Sequence, residues 1–175
     1  HYEKLDLQAV IEEVRKIIGL DAILGIHGES MGAATTLLYA GTIDDDADFY
    51  ISDCAFSDFR VLLRKILKDK IPFRLELAIA LSNLAIRLRD GYNFNDVTPI
   101  LAVENIQKPV LFIHSIPDAF TPSEMTEQLY AAKKNGPKML ALFEKGEHAQ
   151  SFNTSPEEYE LTVKNFIAQY VGNTG

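Results

Sequence analysis

The sequence predicts an α/β fold, a mostly parallel sheet with helices on both faces. Three observations carry that expectation. Short apolar runs of strand length alternate along the chain with longer segments whose apolar residues recur every three or four positions, the pattern of strands joined through helical crossovers. The runs are bounded by glycine, proline or acidic residues. The 175 residues are 47% hydrophobic and 24% charged, enough apolar mass for one core without disulfides or a structural metal.

Taken in order, Leu5, Leu7, Val10, Ile11, Val14, Ile17 and Ile18 keep the spacing of an amphipathic helix over residues 2–18, which Gly19 ends. The run from Ala22 to Ile26 reads as a strand, and residues 30–40 read as a helix of small side chains stopped by Gly41. Asp44, Asp45, Asp46 and Asp48 read as a solvated turn, since they lack the glycine and closing glutamate of a calcium loop. Residues 49–52 form the next strand. Two helices follow over residues 57–70 and 73–89, parted at Pro72, which has no amide hydrogen with which to continue the first. They look like a cap-like helical insertion, about residues 56–95, with buried apolar faces and a position suited to covering a site.

Pro99 suits the first turn of a short helix over residues 97–103. Residues 110–114 and 138–143 are the last two strands, with a helix over residues 122–134 between them. In the final helix, residues 156–170, Ser155 and Glu158 stand at capping-box spacing.

Composition excludes several functions. Lys and Arg number 17 against 25 Asp and Glu, a formal charge of -8 that disfavours nucleic acid and anionic lipid as partners. No apolar run approaches the roughly 20 residues that cross a bilayer, so no membrane contact is expected of this chain, and a cytoplasmic location fits. Cys54 is the only cysteine, which precludes an internal disulfide and a zinc cluster. His1 falls inside a helical pattern, so residues upstream of it are expected.

The informative motif is Gly28-Glu29-Ser30-Met31-Gly32, a G-x-S-x-G with a strand before it and a helix after it. In that context the serine sits on a tight turn where side chains at Gly28 and Gly32 would collide. Its hydroxyl is presented above the carboxyl edge of the sheet, and the helix that begins there aims amide hydrogens, Met31's among them, at an incoming oxyanion. The competing reading of an isolated serine is a helix cap. His27 and His114 end strands near this point, and structural hydrogen bonding is their expected role.

The segment from Ile26 to Ala34 resembles the nucleophile region of α/β-hydrolases, in particular the bacterial esterase and prolyl-oligopeptidase-like branch of serine hydrolases. The family order of nucleophile, acid and histidine is met by Ser30, Asp118 and His148. A serine hydroxyl needs a base within reach, and the base must be held in one tautomer. The resemblance places His148 as that base, after the last strand, and Asp118 as the orienting acid, after the third. Asp53 also follows a strand and stands as the alternative acid. Met31 then supplies an oxyanion-hole amide, while Gly28 and Gly32 flank the nucleophile elbow. Phe56, Phe73 and Phe120 are candidates for an acyl pocket, with core packing as their ordinary reading.

The implied activity is cleavage of a carboxylic ester in a small-molecule acyl substrate, with peptide or thioester as other acyl classes. The resemblance implies no metal and no organic cofactor. The rival reading is a catalytically silent binding or regulatory domain. The four strands counted here resemble the second half of the family's sheet, with the amino-terminal strands apparently absent. Those strands would bring the second oxyanion amide, a donor whose loss costs about 100- to 1000-fold in turnover. They would also cover the run from Ala22 to Ile26. Left bare, that edge is expected to pair with another chain, unless the sequence is part of a longer protein.

Overall fold

The computed structural model describes residues 1–172. One sheet of 4 strands has the order β1 (Gly25–Glu29), β2 (Phe49–Asp53), β3 (Val110–Ser115) and β4 (Lys138–Phe143), and every neighbouring pair is parallel. The helices are α1 (Glu3–Ile18), α2 (Met31–Thr42), α3 (Phe59–Leu67), α4 (Leu75–Asp90), α5 (Pro99–Ala102), α6 (Ser123–Ala132), α7 (Ser151–Thr154) and α8 (Pro156–Tyr170).

Successive strand residues point to opposite faces, and the core divides accordingly. Ile26, Tyr50, Val110 and Phe112 pack with Ile11 of α1, Leu37 of α2 and Leu129 of α6. Ile51, Leu111, Ile113 and Phe143 pack on the other face with Tyr159 and Phe166 of α8. Every residue of β3 is buried, as a strand covered on both faces requires. β1 lies at one edge, and its exposed and buried residues alternate.

The structure moves the first strand. Ladder pairing starts with Gly25 opposite Phe49 and runs to Glu29, not from Ala22 to Ile26. Side chains hold the preceding backbone instead: Arg15 Nη1 donates to the Ala22 carbonyl at 2.6 Å, and Asp48 Oδ2 accepts from the Leu24 amide at 2.7 Å. The acidic turn is likewise more than solvated. Asp45 Oδ2 accepts from the Gln107 and Lys108 amides at 2.6 and 3.1 Å, and Asp46 Oδ1 accepts from the Tyr39 hydroxyl at 2.8 Å. Three carboxylates thus tie the loops at the amino ends of the central strands.

The two helices after β2 are shorter than the sequence suggests. α3 starts at an Asp58 cap that accepts from the Val61 amide at 3.0 Å, and a 3-10 turn, Pro72–Arg74, precedes α4. Arg64 and Glu76 join the two helices through a two-pronged ion pair. The expected buried face fails on α4, where Ile79 alone is buried while Leu77, Leu81, Leu84 and Leu88 are exposed. The physical reason is that α4 packs chiefly on α3, at the outside of the molecule.

The Ser155 capping box does not form. Ser155 closes α7 and opens α8 at once, its side chain accepts no cap bond, and Pro156 sets the first turn of α8. No helix among the described residues is long and apolar enough to cross a membrane.

Two contacts lend themselves to measurement. A Cβ built on Gly41 of α2 would lie 2.0 Å from the Ala102 carbonyl oxygen of α5, a backbone atom that cannot step aside. Gly41→Ala should destabilise by about 2 kcal/mol and lower the thermal midpoint by roughly 4–8 °C. Beneath the sheet, the Tyr159 hydroxyl donates to Asp53 Oδ2 at 3.0 Å and lies 3.1 Å from His27 Nε2. Burial pushes the Asp53 carboxyl up to about 6. Between the ordinary carboxylate range and pH 6 the folded chain therefore holds a proton that the unfolded chain has released, so this group's contribution to stability declines as pH rises through that window. Denaturant titrations should show wild type losing on the order of 2–3 kcal/mol relative to Asp53→Asn between pH 4 and 7.

Candidate active site

Because all four strands run parallel, their carboxyl ends share one edge of the sheet, and each candidate residue leaves from one of them. Ser30 follows β1 directly, Cys54 follows β2, Asp118 follows β3 and His148 follows β4. Ser30 has φ 53 and ψ -115, a backbone conformation that few side chains tolerate. Its amide donates to the Asp53 carbonyl at 2.8 Å, which pins the turn to β2, and its own carbonyl accepts from the Ala34 amide at 3.1 Å. Gly28 makes the turn sterically feasible, since a Cβ there would lie 2.4 Å from the Gly32 carbonyl oxygen.

Gly32 itself departs from expectation. A Cβ at that position meets nothing within 4 Å, so no collision requires the glycine. The close approach is made by its carbonyl, which faces Gly28, while its Cβ direction is open. Met31 is the first residue of α2 and is 63% exposed, and its amide belongs to the first helical turn, whose N–H groups have no partner within the helix.

The structure brings Ser30, His148 and Asp118 into one hydrogen-bonded line. Ser30 Oγ lies 2.7 Å from His148 Nε2, and His148 Nδ1 lies 2.7 Å from Asp118 Oδ2. A carboxylate only accepts, so the imidazole proton is assigned to Nδ1 and Nε2 is left to accept from the serine hydroxyl. His148 is partly open to solvent, while the Asp118 side chain is fully enclosed. The Phe120 ring stands 4.9 Å from the imidazole between centroids.

Asp118 is held by more donors than the motif suggested. Oδ1 accepts from the amides of Phe120 and Thr121 at 2.8 and 2.9 Å, and His114 Nε2 reaches Oδ2 at 3.1 Å. Burial pushes this carboxyl upward, but the hydrogen bonds from His114, His148 and the Thr121 backbone outweigh it and hold it below the ordinary carboxylate range. His114 is itself fixed: Nε2 also donates to the Thr121 carbonyl at 2.8 Å, and Nδ1 lies 2.6 Å from the Thr126 hydroxyl. The available sequence signal for His114 is its place four residues before Asp118 at a strand end.

Asp53 goes elsewhere. Its carboxylate is turned to Tyr159 on the α8 side of the sheet, away from the Ser30–His148 line. His27 joins that same cluster. Phe56 and Phe120 border the space beside Ser30, whereas Phe73 is fully exposed on the 3-10 turn before α4 and borders nothing there.

Among the described residues, one set has ligand atoms close enough to hold a metal ion: Cys54, Asp118 and His148, all within 4.8 Å of one another. Asp118 and His148 already bond to each other and His148 to Ser30, and burial pushes the Cys54 thiol up to about 12, which keeps it protonated rather than a thiolate ligand. Cys54 and Ala149 share the left-handed backbone region with Ser30, and these three non-glycine cases, among the described residues, all border this edge.

Comparison with known proteins agrees with this geometry at the level of the fold. The acylaminoacyl peptidase of Pyrococcus horikoshii superposes with a TM-score of 0.72 at 23% identity, over 98% of this chain and 28% of its own. An esterase of Pyrococcus furiosus gives 0.73 at 18% identity, over 97% of this chain and 63% of its own. Both have the α/β-hydrolase fold, which this chain shares. The uncharacterized protein YqkD of Bacillus subtilis (strain 168) is 42% identical over 167 residues, covering 95% of this chain and 54% of that protein, so the chain spans about half the length of this relative. With the profile of the prolyl oligopeptidase family matching residues 5–174, the chain belongs to that family.

Proposed function

We propose that this chain is the carboxyl-terminal portion of a serine hydrolase that cleaves a carboxylic ester through Ser30, His148 and Asp118. The observation that supports this reading is the unbroken line of two 2.7 Å contacts from the Ser30 hydroxyl through the His148 ring to the buried Asp118 carboxylate. Ser30 Oγ attacks the carbonyl carbon as its proton passes to His148 Nε2. The Met31 amide meets the oxygen that becomes negative. Nε2 then returns the proton to the leaving oxygen as the carbon–oxygen bond breaks, and the acyl group stays on Ser30 until water repeats the sequence. Asp118 keeps the ring in the tautomer that accepts and stabilises the imidazolium that forms. Thioester and peptide bonds are open to the same three groups, since the leaving group is chosen by the surroundings of Ser30.

A second reading, a binding domain that keeps the fold without turnover, draws on one feature: among the described residues, one oxyanion donor, the Met31 amide, is identified beside Ser30. A fluorophosphonate probe separates the two. Covalent labelling of wild type and none of Ser30→Ala is the expected result, with Asp118→Asn slowing labelling on the order of 10⁴-fold through the wrong tautomer. A wild-type protein that takes no label favours the binding domain.

A further inference from the structure

Ser30 opens onto a cavity of about 310 Å³, at the small end of ligand sites. One wall is α2, where Ala34 and Leu38 stand one turn apart on the same side. Phe56, Phe59, Leu62 and Ile66, from the start of the β2–β3 connection and from α3, close over them. The interior is therefore mostly apolar, and its acid, Glu3, is exposed.

The lining decides which half of a substrate belongs there. In a tetrahedral adduct on Ser30, the leaving group has to lie against His148 Nε2, which protonates it, and the oxyanion against the Met31 amide. His148 does not line the cavity, whereas Ser30, Met31 and the next turn of α2 do. The remaining substituent on the reacting carbon, the one retained in the acyl-enzyme, is the group that points into it. We propose that this cavity is an acyl-chain site that selects apolar acyl groups of medium length over acetyl, a reading that rests on Ser30 as the nucleophile. With water-sized groups occupying about 30 Å³ each, the cavity takes up to about ten carbons.

The chain length it accepts is set by α3. Leu62 lines the cavity and is 5% exposed, and Ile66 stands one turn further on, half-buried. α3 is in turn tied to the acid loop, because Lys65 Nζ donates to the Ala119 carbonyl and, at 3.2 Å, to the Phe120 carbonyl. The wall of the cavity and the loop that carries Asp118 therefore share an anchor, which fixes the distance from Ser30 to the far end of the site.

The experiment is a series of p-nitrophenyl alkylphosphonates, methyl to dodecyl, reacted with the protein and read by p-nitrophenol release and by the mass added at Ser30. Rates relative to the methyl probe of the same protein remove any difference in folded fraction between variants. The expected wild-type profile climbs about fourfold per methylene and turns over once the cavity is full. Ile66→Trp should move the optimum to shorter chains and Leu62→Ala to longer ones, while exchanging p-nitrophenol for a bulkier leaving group leaves the optimum in place. A flat profile with Ser30 labelled overturns the acyl-chain site alone, as does an optimum that neither variant moves. If no probe, methyl included, modifies Ser30, the nucleophile assignment falls and the acyl-chain site falls with it.

Discussion

The Asp118 carboxylate is the point on which the candidate site depends. It is enclosed by protein, yet it receives hydrogen bonds from two histidine rings and two backbone amides, and these donors hold it below the ordinary carboxylate range against the upward push of burial. Each donor also constrains geometry. The two amides come from its own loop, so the carboxylate cannot rotate without unwinding the approach to α6. His114 comes from the end of β3, the most deeply buried strand, and ties the carboxylate to the sheet. His148 is held from this side at Nδ1 and meets the Ser30 hydroxyl at Nε2.

Backbone strain is gathered around the same edge. Ser30, Cys54 and Ala149 occupy the left-handed region with side chains present, at a penalty of about 1–3 kcal/mol each that persists only where the surroundings over-determine the conformation. They are over-determined here. The Ser30 amide is fastened to the Asp53 carbonyl at the end of β2, and the Cys54 amide to the Ile113 carbonyl of β3, so Ser30 and Cys54 are each the first step off a parallel ladder. The sheet carries the strain, and the turn places the serine hydroxyl where the histidine can meet it.

The two candidate acids both leave the carboxyl edge of this sheet, and the structure separates them by face. Asp118 lies on the side where His148 returns. Asp53 points to the α8 side, where Tyr159 donates to it and burial raises its affinity for protons. The contrast is physical: one carboxylate has donors enough to stay charged, the other has a buried hydroxyl for company. The acidic residues at the opposite, amino-terminal edge serve a third purpose and bind loop amides and a guanidinium.

The type and order of the elements were legible in the residues, because periodicity, prolines and the Gly28–Ser30 turn act within a few positions of the chain. The first strand lies three residues beyond the apolar run because an apolar run and a hydrogen-bonding register are different things, and the ladder begins with Gly25 opposite Phe49. The exposure of α4 and the failure of the Ser155 cap also escaped, since both depend on what a helix packs against. The sequence by itself determined which residue types were available for the chemistry, a serine on a glycine-relieved turn with an imidazole and two carboxylates downstream. Only the tertiary structure decided which carboxylate the imidazole meets, because that choice is made by a tyrosine 106 residues from Asp53 and by loop amides whose directions exist only once the strands are side by side.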